Sequence, residues 1–152
     1  MLHQIDKIKF VEAIYPQVGA SISGLCISMK NILKVLVVVQ IQQAATNTVA
    51  ITIEQSTAVN KDGHTAITEV VPIWSNLDTA ASDVLVKRTR AVNYTTDAGQ
   101  KNKIIIFEID ASKLDATYDC INVLTGASNA GNLTSAHYIC ELRYSGADLD
   151  AD

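Results

Sequence analysis

Residues 28–41 read SMKNILKVLVVVQI. In an extended strand Val35, Val37, Val39 and Ile41 share one face, and Leu36 and Val38 share the other. Both faces are apolar, so both need a cover. The run IIIF at residues 104–107 repeats the feature. Elsewhere the alternation is cleaner. VAITIEQST puts Val49, Ile51 and Ile53 on one side and Thr52, Glu54 and Ser56 on the other. HYICELRY sets Tyr138, Cys140, Leu142 and Tyr144 against His137, Glu141 and Arg143. With NKIIIFEID, DVLVKRTRAVNY and YDCINVLTG, the period-two pattern predicts seven or eight strands. AITEVVPIW alternates less regularly, and Pro72 places a bulge or a sheet edge there. Trp74 ends that apolar run, where core packing is the usual fate.

The connections carry turn chemistry. NKDGH (60–64) holds an Asp-Gly pair between two alternating runs and predicts a hairpin. DAGQKN (97–102) and GASNAGN (126–132) are small, polar and glycine-bearing, and DASKLDA reads as one capped turn. Residues 5–14 have room for one or two helical turns before Pro16. The fold expected is all-β, an antiparallel β-sandwich, jelly-roll-like, with a short N-terminal arm. Its organisation is an arm over 1–17, a sandwich domain over 18–146 and an acidic tail over 147–152. A sandwich core covers one face of each sheet. The second apolar face of strand 34–41 is therefore left to the chain's own arm or to another subunit.

Composition narrows the classes of function. A chain of 152 residues with 48% hydrophobic and 18% charged residues forms a packed domain without metals or disulfides. The net charge of −4 gives no footprint for nucleic acid. The cluster Lys87, Arg88, Arg90 suits an exposed strand. The longest apolar run falls far short of the ~20 residues needed to span a bilayer. No signal-peptide pattern opens the chain, so the sequons at Asn93 and Asn132 carry little weight, and synthesis in a cytoplasm is expected. Cys26, Cys120 and Cys140 are an odd number without metal spacing. They read as buried thiols, with a Cys120–Cys140 bridge open only if their strands pair.

Catalytic candidates are few. His3, His64 and His137 have no second ligand at metal spacing. Asn60 and Asp62 stand at i and i+2 but lack the other ligands of a calcium loop. No nucleophile elbow or phosphate-binding glycine motif occurs. Glu108 and Asp110 share a strand face, whereas glycosidase chemistry requires two carboxyls flanking a cleft. The expectation is a protein that is not an enzyme and binds no cofactor or metal. A glycan-binding β-sandwich remains the alternative from another class.

FVEAIYPQVGASISGLCISMKNILKVLVVVQI (10–41), ITIEQST (51–57), IIIFEIDASKLDATYDCINV (104–123) and YICELRYSGA (138–147) together resemble the tailed-bacteriophage capsid decoration, or cement, proteins. The resemblance spans about residues 10–147; residues 75–100 depart from the pattern. It implies a non-enzymatic virion protein, made in the host cytoplasm and located on the capsid surface. Its partners would be the major capsid protein and copies of itself, with no nucleic acid and no membrane. A connector, tail or head-fibre base protein is the near alternative. The contact residues expected are Ile8, Phe10, Val11 and Tyr15.

Overall fold

A computed structural model describes residues 4–144. Twelve strands are arranged in two antiparallel sheets that enclose one core. They are β1 (Ile8–Val18), β2 (Ile22–Ser23), β3 (Ile27–Ser28), β4 (Ile32–Gln42), β5 (Ala50–Ser56), β6 (Thr65–Ala66), β7 (Val71–Asn76), β8 (Val86–Ala91), β9 (Asn93–Thr95), β10 (Asn102–Asp110), β11 (Cys120–Thr125) and β12 (Leu133–Leu142). Sheet A has the order β1-β12-β4-β10-β7-β8. Sheet B has the order β2-β11-β5-β6, with β3 also paired to β11 and β9 to β5. Apart from the β5–β6 and β7–β8 pairs, consecutive strands mostly change sheet. The structure is thus the expected all-β sandwich.

The inner surface follows the alternation. Val35, Val37 and Val39 of β4 are fully buried, as are Ile105, Phe107 and Ile109 of β10 and Ile51 and Ile53 of β5. Each such side chain stabilises the fold by ~1.5–3 kcal/mol relative to exposure. Tyr138 on β12 ties the two sheets together: its hydroxyl donates to Leu25 O at 2.8 Å and accepts from Val123 N at 3.0 Å. Burial pushes its pKa up, so the hydroxyl keeps its proton.

Several local expectations are met. The 60–64 turn joins β5 to β6 with Glu54 opposite Ala66, and Lys61 and Gly63 adopt positive φ (65° and 60°). Asp110 caps the turn Ala111–Lys113, accepting from Ser112 N at 2.9 Å. Pro72 falls at a bulge between Val71 and Ile73 in the β7–β8 ladder.

Others are corrected. The N-terminal segment expected as an arm becomes, from Ile8 onward, the edge strand β1 of sheet A, and only Gln4–Lys7 form a 3₁₀ turn. Lys9 and Val11 lie opposite the buried Cys140 and Tyr138, so β1 contributes its own inner row and gains more from pairing than from a helix. Cys120 and Cys140 sit in different sheets and, with Cys26, are free, buried thiols. Burial is the main cause that raises the pKa of Cys120 to about 12 and that of Cys140 to about 11. The tail 147–152 and His3 lie outside the described residues.

Candidate functional site

The residues that alternate with the core row of sheet A point away from it, and among the described residues no element packs over them. The ladder contacts define the centre of this outer face. Glu12 pairs with His137, His137 with Val38, Val38 with Ile106, Ile106 with Trp74, and Trp74 with Lys87. The row therefore crosses all six strands, apolar in its middle and oppositely charged at its ends. Phe10, Ile139 and Leu36 form the next row, ending at Glu108. Ile104 lies beyond Ile106 on the other side. These apolar positions are only partly buried, and Phe10 is 59% exposed.

The charges differ in how they are held. Lys34 Nζ lies 2.7 Å from Glu108 Oε1, and that hydrogen bond raises the lysine's pKa. Asp110 accepts from the Ser112 hydroxyl and N–H, which lower its pKa. Glu12 and Lys87 are exposed and, among the described residues, make no ion pair.

Sheet B presents a different outer surface. Thr52, Glu54 and Ser56 of β5 face outward beside Leu124, Asn122 and Cys120 of β11. The chain covers part of this face itself. The 57–64 connection crosses from β5 past β11 to β2, where Lys61 Nζ meets Ser23 Oγ at 2.5 Å. Asn122 is fully buried beneath it and donates to Glu54 Oε2 at 2.8 Å, while Glu54 Oε1 lies 3.4 Å from His64 Nδ1.

The expected contact residues are divided by the structure. Ile8 and Phe10 are on the outer face of sheet A, opposite Glu141 and Ile139. Val11 turns inward against the core and lines a groove of about 470 Å³ between the sheets, with Leu25, Cys26, Ile27 and Val59. Tyr15, 60% exposed, lies within the second irregularity of β1, between Ile14 and Gln17, and belongs to a neighbouring depression with Gly24 and Lys61. Trp74 departs from its expected core position. Ile73 and Ser75 take the inward parity of β7, leaving Trp74 on the outer face against Ile106 and Lys87. Ile139 also belongs there; its parity with His137 and Glu141 in HYICELRY is the signal that places it.

The titratable groups form structural arrangements. Glu108 and Asp110 share the outer face of β10 and are engaged by Lys34 and Ser112 respectively. Lys103 is the unexpected charge. It stands in the inner row of β10, fully buried, with Nζ 2.5 Å from Asp97 Oδ1, 2.8 Å from Asp97 O and 2.9 Å from Gln43 Oε1. Gln43 Oε1 also accepts from Thr96 Oγ1, whose own oxygen accepts from Val49 N. This network seals one end of the sandwich and satisfies the buried ammonium. Lys103 lowers the pKa of Asp97. Among the described residues, no three His, Cys, Asp or Glu side chains gather around a common point, and no helix is long and apolar enough to cross a membrane.

No protein-family model matches the chain, and no curated protein matches its sequence. Its fold is similar to the crystal structure of SPBc2 prophage-derived protein YomS. The TM-score is 0.50 at 10% sequence identity, over 88% of this chain and 93% of the other. At that identity the likeness is one of fold.

Proposed function

We propose that this chain is a non-enzymatic structural protein of a tailed-phage virion, binding the outer surface of the capsid as a decoration protein. The observation that carries the reading is the outer face of sheet A: a six-stranded platform with an apolar centre, over which no strand or helix among the described residues is packed. Such a face is stable in water only in part, and each Leu, Val or Ile covered on assembly contributes up to ~1.5–3 kcal/mol. Many equivalent contacts on a lattice turn modest individual affinity into firm attachment. The sequence resemblance to decoration proteins and the sandwich shared with a prophage-derived protein support the same assignment.

The test is to locate the chain in a cryo-electron-microscopy map of the particle and to count its copies. Hundreds of copies on the shell are the expected result. Six, twelve or a few dozen at a vertex or tail would assign it as a connector, tail or head-fibre base component. Absence from purified particles would overturn the virion role altogether.

A further inference from the structure

We infer that the outer face of sheet A pairs with the same face of a second copy, around a two-fold axis parallel to the strands and between β4 and β10. The pairing is a property of the free chain, does not rest on the virion assignment, and gives way to the shell wherever the shell covers the same face.

Size permits it. With strands about 4.8 Å apart and outward residues about 6.6 Å apart along each strand, the face measures roughly 24 by 26 Å, about 600 Å² in projection. A standard interface takes about 800 Å² from each partner, which side-chain relief on a face of this extent approaches.

Charge selects the arrangement. Sheets packing face to face keep their strands nearly aligned, so two in-plane axes are available. An axis across the strands along the central row would place Glu12 on Glu12 and Lys87 on Lys87, unpaired charges of like sign. An axis parallel to the strands exchanges β1 with β8, β12 with β7 and β4 with β10. Each Glu12 then faces Lys87 of the second copy, His137 faces Trp74, and Val38 faces Ile106, using the row given by the ladder registers. Glu108 falls beside the second copy's Leu36 but is already neutralised by Lys34. Glu12 and Lys87, which make no ion pair among the described residues, thus find partners across the axis, twice per dimer, around an apolar centre. This is the layout of a stable interface, with apolar anchors in the middle and polar contacts at the rim.

Sedimentation of the full chain across the micromolar range tests it. The expected species has twice the 16.4 kDa chain mass. Val38→Lys weakens dimerisation by about 100-fold or more while circular dichroism and melting show a folded sandwich. Glu12→Lys and Lys87→Glu each weaken it about tenfold, and the double reversal restores it to within about threefold of the parent. These two side chains are exposed, so the charge variants remain decisive even where a Val38 variant fails to fold. A monomer throughout the range, including one that binds only shells, overturns the pairing. So does a dimer indifferent to Val38→Lys, or one whose charge reversals do not compensate.

Discussion

The outer faces of the two sheets lie over the same core and have opposite characters. Sheet B turns Thr52, Glu54, Asn122 and Ser56 outward and is strapped by the 57–64 connection. Sheet A turns Leu36, Val38, Ile104, Ile106, Trp74 and Ile139 outward and is left open. Where the chain supplies its own cover, the outward side chains are mostly polar, and Asn122 and Glu54 hydrogen-bond to each other while Asn122 Oδ1 has no partner among the described residues. Where no cover is seen among the described residues, the outward side chains at the centre are apolar, with charges toward the borders. A solvated sheet face is ordinarily polar, so the open face of sheet A reads as a surface made for contact rather than for water.

Substitutions that separate folding from association break or sharpen this contrast. The largest effect belongs to the core shared by both sheets: Phe107→Ala should cost about 3–5 kcal/mol in denaturant unfolding. Next is the ion pair between the buried Lys103 and the half-exposed Asp97. Lys103→Met should cost about 1–3 kcal/mol at neutral pH, because Asp97 and Gln43 lose their buried donor. It should also change the acid limb. The carboxyl of Asp97 is held below its ordinary value near 3.8, so it contributes stability above that pH and loses it as pH falls through the folded value. Unfolding free energy measured from pH 7 down to 3 should therefore fall less steeply in Lys103→Met than in the parent.

On the strapped face, Glu54→Ala should cost about 1–2 kcal/mol by leaving the buried Asn122 amide without its acceptor, with no change in self-association. On the open face, Trp74→Ser should move monomer stability by less than about 1 kcal/mol. Its effect should appear in light scattering or sedimentation, as reduced association. Glu54→Ala altering association, or Trp74→Ser unfolding the protein, would erase the distinction between the two faces.

Much of this architecture is legible in the sequence because alternation in a strand is local. Val35 to Ile41, the turn at Asp62-Gly63 and the cap at Asp110 each carry their own signal. The order of strands does not, since it depends on which distant partner lies alongside. Trp74 illustrates the loss: its outward position follows from the parity of Ile73 and Ser75 and from having Ile106 beside it, neither of which an apolar run ending in a tryptophan reveals. Lys103 shows the converse. Its parity with Ile105 and Phe107 places it inside, but a lysine at a strand start reads as solvated until Asp97 and Gln43 are seen to meet it. Residues 8–17 look like an arm because their alternation is interrupted by irregularities after Glu12 and Ile14. The open face itself was legible at Leu36 and Val38, whereas its breadth, from Phe10 to Trp74, needed the ladder registers.

The way β1 is fastened has a mechanical consequence. It lies antiparallel along nearly the whole of β12, and Ala13 O accepts from Leu25 N at 2.7 Å in the β2–β3 connection. A pull on Ile8 directed along the strand loads those bonds in shear, so they resist together instead of opening one by one like a zip. Tension entering the molecule at that border would be passed to the central strands before any single rung yields.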